Sequence, residues 1–296
     1  MNLSELNGKY PTDAKCRELL KKLRWPNGIE CPRCEGKSIS RLYTQQKFEC
    51  NDCRYQFSAM VGTVFQDSHT PLEKWFQAVV LLCEARKGMS ANQVKRLVGV
   101  SYKTAWYLCH RIRAAMVESQ QAKLKGIVEV DETYLGGKSH GKRGRGAKNK
   151  EIVVGIRQRN GQLRFFHSSD VKSGTLAEYI RTNISKNVEF LMTDDLKSYP
   201  AARRKAGIDR GKHKTIKHSK GKYVMGYIHT NTVENAFSLL KRGLIGTWHK
   251  LSAKHLPAYL NEMAFRFNRR NDLDLFIDTI RHMISTPTLP YEKLTA

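Results

Sequence analysis

Three acids and four cysteines carry the chemistry open to this sequence. Asp131 lies in Ile127-Val-Glu-Val-Asp131-Glu-Thr-Tyr, and Asp194 closes Val188-Glu-Phe-Leu-Met-Thr-Asp194-Asp195. Each ends an apolar run of strand character, where an ionised carboxylate is costly unless a metal or a partner compensates it. The third acid is Glu234 in His229-Thr-Asn231-Thr-Val-Glu234-Asn-Ala-Phe-Ser238-Leu-Leu-Lys241-Arg242. Helical spacing sets Asn231, Glu234, Ser238 and Lys241 along one polar face, beside an apolar stripe of Val233, Phe237, Leu240 and Leu244. Acids that converge suit hard cations such as Mg²⁺ or Mn²⁺, and two such ions roughly 3.5–4 Å apart suit phosphoryl transfer. Each residue also has a plainer reading. The aspartates can cap turns, Asn231 can cap a helix with Glu234 as its reciprocal partner, and Lys241 can be solvated.

Cys31-Pro-Arg-Cys34 and Cys50-Asn-Asp-Cys53 are two C-x2-C pairs separated by fifteen residues. Each pair can put two thiolates on one tetrahedral zinc ion, and the segment between them can form the hairpin that joins them. Four thiolates leave no open position, so the role is structural. Arg33, Lys37, Arg41, Lys47 and Arg54 make the module basic. Cys16, Cys83 and Cys109 read as small buried residues.

Several elements must position these groups. Residues 1–30 read as helical up to the turn Trp25-Pro26-Asn27-Gly28. Residues 70–116 read as helices, with Thr70 as an N-cap, Pro71 at the first helical position and Glu73 completing a capping box. Within them, residues 90–116 divide around Gly99 into a helix-turn-helix candidate capped by Ser90 and Ser101. Val94, Leu97, Val100 and Ala105 are its expected inner contacts. Lys103, Tyr107, His110, Arg111 and Arg113 are expected at exposed or half-exposed positions of the second helix, with Lys103, Tyr107 and Arg111 as DNA contacts. Four strands are expected in GIVEVDETYLG, EIVVGIRQR, QLRFFHSS and VEFLMTDD, with helices near Gly174–Asn183 and Ser198–Ala206 and again from about 231 to 282. Residues 136–150, rich in Gly and Lys/Arg and free of acids, read as a basic loop with Lys142, Arg143 and Arg145 against DNA.

Lys and Arg outnumber Asp and Glu by 52 to 27, a formal charge of +25, while 40% of residues are hydrophobic. A soluble fold that repels itself so strongly points to a polyanion, nucleic acid first. No apolar run reaches membrane-spanning length, and a secretory signal is not evident. The expectation is a reducing, bacterial-type cytoplasm beside the nucleoid, with no disulfides and no membrane partner.

The runs Val130-Asp-Glu-Thr-Tyr-Leu-Gly-Gly137, Thr193-Asp-Asp-Leu-Lys-Ser-Tyr199, His229–Gly243 and Tyr259–Arg270, placed after the four-cysteine module, resemble a family of bacterial insertion-sequence DDE transposases. The resemblance spans roughly residues 15–270. It implies a mixed α/β architecture: an RNase H-like catalytic domain behind a zinc ribbon and a helix-turn-helix-like module. It also implies Mg²⁺- or Mn²⁺-dependent cutting of element ends and their joining to target DNA. Asp131, Asp194 and Glu234 are the implied metal ligands, with Lys241 near a phosphate. Members differ at the third position, so Asn231 and Glu234 both stand there. Asp194 is preferred to Asp195 because it follows Thr193 as in the family motif and shares strand parity with Phe190 and Met192. The expected domains are 1–60 (helix and ribbon), 61–120 (helical module), 121–285 (catalytic) and a tail at 286–296. Double-stranded DNA, as terminal inverted repeats and target, is the expected partner of a homodimer assembled on it. The alternatives are a zinc-ribbon DNA-binding regulator without catalysis and a related nuclease that cuts without joining.

Overall fold

The computed structural model describes all residues except 119–120, 137–149, 217–223, 225 and 250. Lys142, Arg143 and Arg145 lie outside the described residues. The chain forms two compact units, 1–117 with 269–296, and 118–268.

Capping chemistry sets where the first helices begin. Asn2 and Glu5 form a capping box at α1 (Leu3–Lys9), and the Thr12 side chain caps α2 (Asp13–Arg24). A three-stranded antiparallel sheet follows, β1 (Ile39–Leu42), β2 (Lys47–Cys50) and β3 (Gln56–Phe57). The next helix, α3 (Leu72–Glu84), departs from expectation at its start. Pro71 takes the cap position, and the Leu72 N–H is satisfied by the Asp13 carboxylate from α2 rather than by Thr70. An acid fifty-nine residues away satisfies the orphan donor that a local cap would take. Ser90 caps α4 (Ala91–Val98) as expected and forms a capping box with Gln93, Gly99 turns the chain at φ 70°, and Ser101 caps α5 (Tyr102–Ala115). Val94 and Ala105 are buried as expected, but Leu97 is 59% exposed and Val98 takes the inner place.

The second unit is built on five strands. These are β4 (Ile127–Leu135), β5 (Glu151–Gln158), β6 (Leu163–Ser168), β7 (Phe190–Thr193) and β8 (His213–Thr215), with α6 (Ser173–Asn183) between β6 and β7 and α7 (Ser198–Lys205) between β7 and β8. The sheet order is β6-β5-β4-β7-β8. Strands β6, β5 and β4 pair antiparallel, while β4, β7 and β8 run parallel. This is the RNase H-like arrangement that the resemblance implies. Val128, Val130, Val154 and Ile156 face α6 and α7 on one side. On the other side α8 (Asn231–Gly243) and α9 (Leu256–Asn268) cover Leu135, Val153 and Phe165. Val233, Phe237 and Leu240 of α8 are buried there as its stripe predicts, each worth about 1.5–3 kcal/mol relative to exposure.

The last helices, α10 (Leu275–Ser285) and α11 (Tyr291–Thr295), belong to the first unit. Phe276 of α10 packs on Tyr10 and Phe76, and Tyr291 meets Trp106 and Tyr107 edge-on. Residues 269–285, expected with the catalytic segment, therefore complete the N-terminal core, and within the expected tail Tyr291–Thr295 forms a helix whose Leu294 is buried.

Candidate functional site

Parallel pairing of β4 with β7 ends at Val130 and Thr193, so the next residues, Asp131 and Asp194, meet where β7 stops; Asp131 itself lies midway along β4, opposite Gly155, rather than at a strand end as expected. Oxygens of Asp131, Glu132 and Asp194 all lie within 4.8 Å of one another, and Asp195 is not in this group. Glu132 was not anticipated. Strand alternation sends it to the face opposite Asp131, where the buried Tyr199 hydroxyl of α7 donates to its Oε2 at 2.9 Å. The available signal was two adjacent acids in one strand with a tyrosine in the partner motif. Asp194 Oδ1 is held by the Leu196 N–H at 3.0 Å, and Asp131 Oδ1 by the Glu132 N–H at 2.9 Å. Burial pushes the Asp131 carboxyl well above its ordinary pKa, and the charges of Glu132, Asp194 and Glu234 push it the same way. Like charges this close are unstable alone. A divalent cation among them would outweigh that repulsion and favour the ionised carboxylates, so the donor set fits an oxygen-loving metal.

Glu234 stands at the margin of this group. Its charge reaches Asp131, yet its oxygens fall outside the 4.8 Å cluster. The Thr230 hydroxyl donates to Glu234 Oε1 at 2.7 Å. Asn231 is not the N-cap; Thr230 holds that position, and Asn231 is the exposed first residue of α8. The orphan amides of that turn go to Glu129 of β4, whose Oε2 accepts from Thr232 N at 2.9 Å and Val233 N at 3.0 Å. Ser238 and Lys241 are exposed farther along the polar face, Lys241 about 10 Å beyond Glu234 at 1.5 Å per residue.

Gly155, the cross-strand partner of Asp131, lets α8 approach. A Cβ there would lie 2.8 Å from Phe237 Cζ and Val233 Cγ2. Gly155→Ala is therefore expected to destabilise the unit by about 1–3 kcal/mol through overpacking and to lower any activity that needs Glu234 near Asp131. Urea unfolding checks the first effect, and an unchanged midpoint would contradict it.

In the ribbon, Cys31 and Cys53 sulfurs are 3.6 Å apart, as are those of Cys34 and Cys50, and all four lie within 4.8 Å of one another. Those separations suit a tetrahedron with metal–sulfur bonds of about 2.3 Å, whose edge is about 3.8 Å. The two knuckles mirror each other. Glu35 and Arg54, each after the second cysteine, have φ near 60° (60° and 59°), and each donates its N–H to the carbonyl of the first cysteine. At Gly36 an added Cβ would meet the Asp52 carboxylate, which would have to swing aside. Trp25, Phe48 and Phe57 form the small core beneath. Cys16, Cys83 and Cys109 are buried outside the cluster as expected.

On α5 the expected contacts separate. Lys103 is exposed, although its ammonium lies 4.8 Å from the Tyr291 ring centre. Tyr107 is half-buried and donates to the Leu289 carbonyl at 2.6 Å. Arg111 is 1% exposed, over Trp75 and Tyr107, and donates to the Gln66 carbonyl; His110 and Arg113 are buried too. These three are core groups because α5 is enclosed by α3, α4 and α10. Arg111→Ala is expected to cost about 2–3 kcal/mol of stability and to leave the salt dependence of DNA binding unchanged. A shallower slope of log affinity against log salt, by about 0.9 for a lost phosphate contact, would contradict that. Among the described residues no helix is long and apolar enough to cross a membrane.

Residues 123–268 match the model of the ISXO2-like transposase domain, and residues 11–56 match that of the transposase zinc-ribbon domain. A Halobacterium salinarum protein described as an uncharacterized protein in transposable element ISH50 is 29% identical, over 87% of this chain and 91% of its own length. The crystal structure of the Mos1 strand transfer complex aligns over 74% of this chain and 78% of that one, at 11% identity and a TM-score of 0.31, a likeness too small to carry an argument.

Proposed function

This chain belongs to the ISXO2-like transposases with an N-terminal zinc ribbon, and from that premise we propose that it cuts insertion-sequence ends and joins them to target DNA at the Asp131–Asp194 site. The observation that carries this reading is the meeting of Asp131, Glu132 and Asp194 where the parallel pairing of β4 and β7 ends, with the Asp131 carboxyl raised by burial and by its neighbours' charge. Two Mg²⁺ or Mn²⁺ ions, when bound, would stabilise the attacking and leaving oxygens of an in-line displacement. Asp131, Asp194 and Glu132 would supply the oxygen ligands, with Glu234 closing the site from α8 and the exposed Asn231 beside it. In the cut, a water loses a proton as its oxygen bonds to phosphorus, the P–O3′ bond breaks, and the freed 3′-oxygen takes up a proton. In the joining step that 3′-hydroxyl loses its proton as its oxygen bonds to a target phosphorus, the bond from that phosphorus to the target 3′-oxygen breaks, and the displaced 3′-oxygen takes up a proton. Lys241, exposed on the face of Glu234, would neutralise a phosphate beside the cut.

Cys31, Cys34, Cys50 and Cys53 would hold a structural zinc. The basic ribbon, Lys103 and the segment containing Lys142, Arg143 and Arg145 would grip double-stranded DNA at the terminal repeats and target. Two ends must be joined together, so the working assembly would be a homodimer on DNA. The test is a joining assay with a duplex carrying the element end and a supercoiled target. Joined products that require Mg²⁺ or Mn²⁺ support the reading. Hydrolysed ends without joined products would make the protein a nuclease, and DNA binding with neither product would make it a regulator.

A further inference from the structure

Glu129 stands two residues before Asp131 on the same face of β4 and is 0% exposed. A carboxylate there is costly unless every oxygen is answered, and each one is. Oε2 accepts from the Thr232 and Val233 amides at 2.9 and 3.0 Å and from the Thr232 hydroxyl at 2.8 Å. Oε1 pairs with Arg159 Nε at 2.7 Å and lies 3.4 Å from His229 Nδ1. Arg159 in turn donates to the Tyr227 and His229 carbonyls at 2.8 and 2.9 Å, and its Nη2 lies 3.0 Å from His229 Nδ1. The segment entering α8 and the first turn of α8 thus hang on one ion pair whose Glu129 end is fully buried and whose Arg159 end is partly exposed.

A buried ion pair adds little stability over an apolar filling of the same volume. What this one supplies is direction. Three hydrogen bonds from one turn fix the height and rotation of α8 against β4, and the negative charge complements the helix N-terminus. Glu234 follows Val233 directly, and its carboxylate is tied to Thr230, which is buried next to the carbonyls held by Arg159. The His229-Thr230-Asn231-Thr232 run therefore has a physical reason at three of its positions: His229 meets Arg159, Thr230 holds Glu234, and Thr232 holds Glu129.

We propose that Glu129, with Arg159, is a positioning residue that sets Glu234 against Asp131 and Asp194 and so tunes the metal affinity of the site. The proposal rests on the metal-dependent reading above, and its test does not require DNA chemistry. Mn²⁺ binding to the full chain, followed by calorimetry, is expected to weaken about tenfold in Glu129→Gln, as for other groups that orient metal ligands. In a Glu234→Gln background the same change is expected to add nothing, because Glu129 acts through Glu234. Unchanged Mn²⁺ affinity in Glu129→Gln, or losses that simply add, would overturn the proposal. Thr232→Val, which removes one bond to Glu129, should shift affinity in the same direction and serves if Glu129→Gln fails to fold. A wild type that takes no Mn²⁺ contradicts the proposed function instead. The clamp is then decided by amide exchange at Thr232 and Val233, which must quicken in Glu129→Gln; unchanged exchange overturns it.

Discussion

Asp131→Asn is expected to abolish cutting and joining while making the metal-free chain more stable. The two effects share one cause. Burial raises the Asp131 carboxyl, and the charges of Glu132, Asp194 and Glu234 raise it further above the ordinary 3.8. The folded chain then holds that proton more tightly than the unfolded chain. By linkage, the group favours folding at low pH, and that contribution is lost as pH rises through the raised folded pKa. At neutral pH the wild type without metal carries the penalty, and asparagine does not. The gain, about 1 kcal/mol as for other relieved active-site strain, should shrink as pH falls toward 4. Added Mg²⁺ should stabilise the wild type and leave the variant unmoved. Losing a ligand that helps neutralise a transferring phosphoryl group costs about 4 kcal/mol, roughly 10³-fold in rate. A joining assay and a thermal melt at two pH values check both halves. Wild-type joining by the variant, or a lower melting temperature without metal, would contradict the account.

Cys50→Ser is expected to release the ribbon's metal and unfold residues 29–57. The ribbon's apolar core is small, built around Phe57 with Trp25 and Phe48 beside it, too little to hold so short a module by burial alone. Zinc binding to such modules is worth about 10–16 kcal/mol at neutral pH, and that energy is their folding energy. Elemental analysis should find about one zinc per wild-type chain and none in Cys50→Ser, with loss of near-ultraviolet dichroism from Trp25 and Tyr55. Cys16→Ser, also buried but outside the cluster, should keep its zinc. A zinc-free wild type with a folded ribbon would contradict this.

The parts legible in the sequence are those whose signal is local. Strands β4 to β7 announce themselves as apolar runs, and the cysteine pairs by spacing alone. The edge strand β8, His-Lys-Thr, has no apolar run; its pairing to β7 makes it a strand. Glu129 carries no signal of its own in the sequence, because its partners Arg159 and Thr232 lie 30 and 103 residues away. Asp13 capping α3 and α10 closing the N-terminal core were hidden for the same reason. Arg111 shows the converse. A basic residue on a helix reads as surface, and only its enclosure by Trp75 and Tyr107 reveals a core group.

The central claim is that Asp131 and Asp194 hold a divalent ion where β4 meets β7. Crystals of the full chain soaked in Mn²⁺ and measured at the manganese edge test it directly. The expected result is an anomalous peak about 2.1 Å from oxygens of both aspartates, lost in Asp194→Asn. A peak elsewhere, or none beside these two carboxylates at saturating Mn²⁺, would contradict the account.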